Sequence, residues 1–264
     1  MTEPMVRHIA RLGLVLLLLP LVSHGATLAD TIDKMRGGVV GVGTAYPPRQ
    51  PNMRGKSSSL LGTGFVVADG LHIVTNAHVV PAEIDTDNKE MLAVFSGTGK
   101  SIMAHPAMLV SVDQEHDLAL LRIDPPSLPA LSIGDSSVIR EGEDIAFTGF
   151  PIGAVLGLYP VTHRGIVSAI TPIARPADTS QSLTATQIRR MRNPFTAFQL
   201  DAIAYPGNSG SPVYQPHSAA VVGVLNSVFI KESRESLLER PSGISYAIPA
   251  VHVKALLAAS GLSD

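Results

Sequence analysis

Gly207-Asn208-Ser209-Gly210-Ser211-Pro212 is the stretch on which the reading of this chain turns. A serine hydroxyl is a weak nucleophile at its own pKa. It needs a base to take its proton, and backbone N–H groups to hold the oxyanion that forms when it attacks a carbonyl. Glycines on both sides of Ser209 let the backbone take the sharp conformation that aims such N–H groups at one point. The same letters also spell a Gly/Ser/Pro surface turn, and the hexapeptide alone leaves both readings open.

Two further residues bear on the choice. Thr75-Asn76-Ala77-His78-Val79-Val80 follows the apolar run Gly64-Phe65-Val66-Val67 and the turn Ala68-Asp69-Gly70, which places His78 just past a hairpin. Asp117 opens Asp117-Leu118-Ala119-Leu120-Leu121-Arg122-Ile123, a carboxylate at the mouth of a largely apolar strand. Taken singly, His78 reads as a packed or capping histidine and Asp117 as a turn residue. Taken together in the order His, Asp, Ser, they read as the parts of one nucleophilic machine.

With these residues the chain resembles the chymotrypsin-fold, trypsin-like serine proteases, and within them the bacterial HtrA/Deg-like branch. The matching stretches are Gly62-Thr63-Gly64-Phe65-Val66-Val67, Thr75 to Val80, Asp117 to Leu121, Gly165-Ile166-Val167-Ser168-Ala169, Asp201-Ala202, Pro206 to Gly210 and Tyr246-Ala247-Ile248-Pro249. They fall in family order between about residues 37 and 260. The order excludes the α/β-hydrolases, which run Ser, Asp, His and carry Gly-x-Ser-x-Gly, whereas Ser211 stands here in place of the last glycine. The resemblance implies that Ser209 attacks, His78 takes and passes on the proton, and Asp117 orients the imidazole and stabilises the imidazolium. It also implies an oxyanion hole from the N–H groups of Gly207 and Ser209, and a substrate cleft between two barrels, His78 and Asp117 on the first and Ser209 on the second.

The expected fold is all-β: two six-stranded antiparallel barrels of the chymotrypsin type with a C-terminal helix. Low charge with 23 glycines and 20 prolines suits many short strands joined by turns. After a short helical or irregular entry, Thr27–Met35, strands at Val39–Gly43, Gly64–Val67, Ile73–Asn76, Met91–Phe95, Met103–Ser111 and Leu118–Ile123 close one barrel within residues 26–130. A Pro/Ser-rich loop, Tyr46–Leu60, interrupts this set, and Pro125, Pro126 and Pro129 mark the crossover. Strands at Asp144–Gly149, Val161–Ile170, Ala197–Asp201, Pro212–Tyr214, Val221–Val228 and Gly243–Ile248 close the other within residues 131–264. Val251–Ala259 has apolar residues at helical spacing and ends at Gly261, which predicts the terminal helix.

Residues 1–25 read as a signal peptide. Arg7, His8 and Arg11 flank the apolar stretch Leu12–Val22, and Ser23-His24-Gly25 supplies small residues for cleavage after Gly25. That stretch is shorter than the roughly 20 residues needed to span a bilayer, so the expectation is a periplasmic or secreted protein with no stable membrane span after cleavage; an uncleaved anchor is the alternative. Twenty basic residues against 22 acidic ones give no reason to expect nucleic acid as a partner, and the partners implied are polypeptide substrates. The chain has no cysteine, which excludes disulfides, a thiol nucleophile and zinc–thiolate sites. Its nine histidines show no metal-ligand spacing, and His24, His105, His217 and His252 read as surface or packing residues. No metal or cofactor is implied, and the oligomeric state is not readable.

The sequence also departs from the family it resembles. Digestive relatives place an aspartate before the nucleophile to receive a buried ammonium after zymogen cleavage. Neutral Asn208 cannot pair with that charge, which argues against such activation. The segment Thr171–Phe195, with Arg189-Arg190-Met191-Arg192, reads either as a solvated variable loop or as a substrate-contacting flap. With sixteen residues after Ile248, the expectation is that the PDZ module HtrA proteins carry is missing and that specificity lies in the cleft. By analogy the specificity pocket has its floor near Ile203 and its wall near Leu225-Asn226-Ser227-Val228. No carboxylate stands at the floor, so a Lys or Arg preference is not expected, and small to medium aliphatic side chains are. The glutamyl-endopeptidase branch shares Gly-Asn-Ser-Gly-Ser-Pro, but Leu225 stands where its glutamate-reading histidine would fall. His163 keeps that preference open from a neighbouring strand.

The function these residues point to is a serine endopeptidase acting on exported or misfolded proteins. A catalytically silent peptide-binding relative and an esterase using the same machinery are the competing classes.

Overall fold

The computed structural model describes residues 27–47, 58–151, 158–173, 195–226 and 243–263. The segment read as a signal peptide, most of the stretch read as the Tyr46–Leu60 loop, the arginine cluster at 189–192, and Ser227 and Val228 lie outside the described residues.

Helix α1 (Leu28–Arg36) opens the described chain. Its start is set by a reciprocal cap, in which Thr27 Oγ1 accepts from the Asp30 N–H at 3.3 Å and Asp30 Oδ2 accepts from the Thr27 N–H at 2.9 Å. Strands β1 (Val39–Ala45), β2 (Ser59–Val67), β3 (His72–Asn76), β4 (Met91–Ser96), β5 (Met103–Asp113) and β6 (Leu118–Ile123) close a barrel in the order β1-β2-β3-β6-β5-β4. Strands β7 (Asp144–Gly149), β8 (Val161–Ile173), β9 (Phe195–Asp201), β10 (Pro212–Tyr214), β11 (Val221–Asn226) and β12 (Ile244–Pro249) close a second in the order β10-β11-β12-β9-β8-β7. All of these pairings are antiparallel. Helix α2 (Ala250–Ala259) follows β12 directly.

Side-chain parity explains why several strands read as unbroken apolar runs. In β2, Val66 points into the first barrel with Val40, Val42, Ile73 and Leu121, while Phe65 and Val67 point out. Outward does not mean wet here. Phe65, Val67, Leu118 and Leu120 meet Phe150, Tyr214, Val221, Val224 and Ile248 of the second barrel, and Val253, Leu256 and Leu257 of α2 close over them. Strands buried on both faces lose the apolar–polar alternation of a half-exposed sheet. Tyr214 is fully buried at this junction, and its hydroxyl bonds Thr148 Oγ1 at 2.8 Å. The two barrels thus share one core as well as having their own.

Several expected boundaries move. β1 runs on to Ala45, and β2 begins at Ser59 inside the stretch read as a loop, because Thr44 and Gly43 pair with Ser59 and Leu60. β8 continues through Thr171, Pro172 and Ile173, which pair with Ala197, Thr196 and Phe195. The segment read as a loop therefore begins and ends as strand. The entry segment is helical throughout Leu28–Arg36.

Candidate active site

β3 ends at Asn76, and the chain makes one 3₁₀ turn, Ala77–Val79, that carries His78 off the end of the first barrel. Asp117 enters β6 with φ +56°, the left-handed region that a short polar side chain tolerates better than most. That conformation folds Asp117 back over the end of β3. Its carbonyl accepts from the Ala77 N–H at 3.0 Å and from Asn76 Nδ2 at 3.1 Å. Its carboxylate then grips His78 twice, Oδ1 accepting from the backbone N–H at 3.1 Å and Oδ2 facing Nδ1 at 2.6 Å. An ionised carboxylate only accepts, so Nδ1 carries the proton, and in the neutral ring it is Nε2 that holds the lone pair.

Asp117 is buried, its side chain 5 % exposed against 25 % for His78. A buried carboxylate is tolerable only when its lone pairs are met. Part of that need is filled from the other barrel, since Asn226 Nδ2 donates to Asp117 Oδ2 at 2.6 Å. Asn226 is the last residue of β11 and wholly buried. Strand parity sends Val224 into the shared core, Leu225 into the second barrel and Asn226 toward Asp117. The side chains of Leu225 and Asn226, read from sequence as a pocket wall, are thus committed to a barrel core and to the aspartate. Ile203, the expected floor, is 39 % exposed.

Ser209 lies in the loop between β9 and β10. Tyr205-Pro206-Gly207-Asn208 forms a turn closed by the Asn208 N–H on the Tyr205 carbonyl at 3.0 Å, with Gly207 at φ +99°. Proline at the second position and a positive φ at the third make it type II, and the third position there favours glycine. After the turn, the Gly210 N–H donates to the Leu225 carbonyl and the Leu225 N–H to the Ser211 carbonyl, each at 2.9 Å. Ser209 is buried at this point. Gly62 is wedged between it and the histidine turn: a methyl group there would stand 2.7 Å from Val79 Cγ2 and 3.0 Å from the Ser209 carbonyl oxygen. The backbone of Ser209 and the residue after His78 are therefore separated by a single glycine. His78 and Asp117 are thus bonded to each other at the end of the first barrel, and the loop carrying Ser209 is packed against the turn that carries His78.

Thr63 carried no role in the sequence reading. The Thr63 N–H donates to the Ser209 carbonyl at 2.8 Å and Thr63 Oγ1 to the Gly207 carbonyl at 2.7 Å. Gly62-Thr63-Gly64 marked this spot in the sequence, but nothing local says that its threonine reaches the other barrel. Asn208 is wholly buried and its amide has no hydrogen-bond partner among the described residues. His163 stacks on Phe147 with ring centroids 4.9 Å apart and approaches Tyr205 at 6.0 Å. Its Nε2 is buried without a partner among the described residues, and burial holds its pKa below the ordinary histidine value. Among the described residues no three His, Asp or Glu side chains gather as a metal-ligand set, and no helix is long and apolar enough to cross a membrane.

The geometry has counterparts among known proteins. Residues 62–224 match the family described as trypsin-like peptidase domain. A probable periplasmic serine endoprotease of DegP-like type from Halomonas elongata is 31 % identical over 204 residues, 76 % of this chain and 36 % of that protein. Serine protease HTRA1A of Danio rerio is 29 % identical over 238 residues, 88 % of this chain and 41 % of that protein. The chain thus spans about two-fifths or less of the length of these curated relatives. Among solved structures, the HtrA-type protease AlgW with a tripeptide superposes with a TM-score of 0.61 at 25 % identity, over 90 % of this chain and 65 % of that one. AlgW with a decapeptide gives 0.62 at 24 % identity, over 88 % and 66 %.

Proposed function

Since the chain belongs to the trypsin-like peptidase family, in its HtrA branch, we propose that it is a serine endopeptidase in which Ser209, His78 and Asp117 form the catalytic triad. The observation that carries this reading is the buried Asp117 carboxylate bonded to His78 Nδ1 at 2.6 Å, with the Ser209 backbone and Val79 separated by the single glycine Gly62. With Nδ1 protonated, His78 Nε2 is the base that takes the Ser209 proton as Oγ attacks the scissile carbonyl, and it returns that proton to the leaving amine. Asp117 holds the tautomer and stabilises the imidazolium. The N–H groups of Gly207 and Ser209 take the oxyanion, and water then hydrolyses the acyl-enzyme by the same relay.

The substrates are polypeptides, exported or misfolded proteins met in the periplasm or outside the cell. Relatives named as periplasmic endoproteases and neighbours solved with bound peptides support this. Exposed Ile203 suits a small to medium aliphatic side chain at the cleavage site. A glutamyl preference is the second reading, favoured by one observation: the buried, unpartnered Nε2 of His163 on the inner side of the second barrel.

Fluorophosphonate labelling with a cleavage-site profile on a denatured protein tests both levels. Labelling at Ser209, lost in Ser209→Ala along with peptide hydrolysis, is the expected result. A folded wild-type chain that neither labels nor cleaves would be a silent binding relative, and ester turnover without peptide turnover would make it an esterase. Cuts after glutamate that vanish in His163→Ala would establish the second reading.

A further inference from the structure

We propose that Thr63 is a positioning residue, the clamp that sets the register between the barrel carrying His78 and the loop carrying Ser209. The proposal rests on Ser209 and His78 acting as nucleophile and base. It adds a third barrel-spanning group, away from Asp117 and Asn226.

Thr63 lies in β2 and has no solvent exposure. Four hydrogen bonds leave it in two directions. Toward the second barrel, its N–H donates to the Ser209 carbonyl at 2.8 Å and its hydroxyl to the Gly207 carbonyl at 2.7 Å. The Phe150 N–H donates to the same hydroxyl oxygen at 3.0 Å. An N–H cannot accept, so the Thr63 hydroxyl proton is committed to Gly207. Toward its own barrel, the Thr63 carbonyl accepts from Thr75 Oγ1 at 2.6 Å. Thr75 stands on β3, three residues before His78. A continuous bonded path thus runs from the strand that leads into the turn carrying the base, through Thr63, to the residues on either side of Asn208.

The two contacts to the second barrel bracket the working part of the loop. The hydroxyl holds the carbonyl that follows the φ +99° residue Gly207, while the Asn208 N–H of the same peptide is tied to Tyr205. With both ends of that peptide fixed, the frame of the type II turn is fixed, and with it the N–H groups proposed for the oxyanion. The approach is close, since a methyl group on Gly210 would collide with the Thr63 carbonyl and crowd Thr75 Oγ1. Valine has the shape of threonine but would leave the Gly207 carbonyl and the Phe150 N–H unmet, and serine keeps the hydroxyl. Thr63 touches no reacting atom in this scheme. Its effect is on alignment, where an error near 1 Å can lower a rate about 10²-fold.

The test is steady-state kinetics on a peptide substrate with Thr63→Val, Thr63→Ser and Thr75→Val in the full chain, alongside fluorophosphonate labelling rates. Thr63→Val is expected to lower kcat and the labelling rate together by about 10²-fold, with KM within about twofold. Thr63→Ser is expected to recover most of the loss. Thr75→Val, which cuts the link on the histidine side, is expected to show the same pattern at about 10-fold, and it keeps the question answerable if Thr63→Val does not fold. Normal kcat in both valine variants, or a rise in KM with kcat unchanged, would overturn the clamp. A wild-type chain that fails to label or cleave would instead sink the endopeptidase reading, so the two failures are separate.

Discussion

Asn226 donates its side-chain amide to Asp117 Oδ2 at 2.6 Å, the same oxygen that faces His78 Nδ1 at 2.6 Å. The two residues belong to different barrels, so the aspartate is held in place by the part of the molecule that carries Ser209. Hydrogen bonds to charged groups contribute about 1.5–3 kcal/mol, which corresponds to about 10- to 10²-fold in rate if the loss falls on the transition state. Asn226→Ala is expected to lower kcat within that range with KM little changed. Asn226→Asp sets a second carboxylate against Asp117 and is expected to cost more. Equal kcat in wild type and Asn226→Ala would assign the amide to packing alone.

Asp117→Asn tests the carboxylate itself. Its two oxygens meet the His78 N–H, His78 Nδ1 and Asn226 Nδ2 among their donors. An asparagine has one oxygen, so in either orientation its NH₂ opposes a donor and the ring loses its enforced tautomer. The expected loss in kcat is about 10⁴-fold with the fold retained. Circular dichroism and kinetics on the same sample check it, and a loss below about 10-fold would remove Asp117 from the mechanism.

How far the sequence could be read follows from where the information lies. Leu118–Ile123 and Gly64–Val67 were legible as strands because burial on both faces makes them apolar at nearly every step, and His78 and Asp117 stood out at the ends of such runs. The outer ends of β8 and β9 were not legible. Thr171-Pro172-Ile173 becomes strand by pairing with Phe195-Thr196-Ala197 across residues 174–194, and no local pattern announces a partner that distant. Leu225 and Asn226 show the same limit at the site. Being one residue apart sends them to opposite faces of β11, and only the fold says that one face meets Asp117. Thr63 was quoted as part of a motif, yet its role depends on carbonyls more than a hundred residues away.

Tyr214 offers a test of the shared core. Its ring is fully buried between the barrels, and its hydroxyl bonds Thr148 Oγ1, which also meets Thr162 Oγ1 at 2.8 Å. Burial pushes the Tyr214 pKa up, while the Thr148 and Thr162 hydroxyls pull it back. Tyr214→Phe keeps the ring and leaves Thr148 with one partner, for an expected loss of about 1 kcal/mol in unfolding free energy. Tyr214→Ala removes the ring as well and is expected to cost about 3–5 kcal/mol. Denaturant unfolding of both variants checks the order, and a Phe variant as unstable as the Ala variant would place the stability in the hydroxyl network.

The last prediction concerns acid stability and is set by His252 on α2. Its ring stacks on His116 at 3.7 Å and meets the edge of Phe195 at 5.7 Å, and His116 Nδ1 faces Asp113 Oδ2 at 2.6 Å. Burial, reinforced by the neighbouring His116 and partly opposed by Asp113, holds the His252 pKa down to about 4. An unfolded histidine titrates near 6.5. Between those values the unfolded chain takes up a proton that the folded chain refuses, so stability contributed by keeping His252 neutral is full above about pH 6.5 and is lost as pH falls toward 4. Asp113 has its pKa lowered below the ordinary carboxylate value despite burial, by hydrogen bonds from His116, and its own contribution is lost only at still lower pH. His252→Phe keeps an aromatic ring against His116 and Phe195 but cannot take up a proton. Wild type is expected to lose stability steadily from pH 6.5 to 4, and His252→Phe to lose less over the same interval. Denaturant midpoints at pH 7, 5.5 and 4.5 measure the slope, and parallel slopes for the two proteins would show that other groups govern acid unfolding.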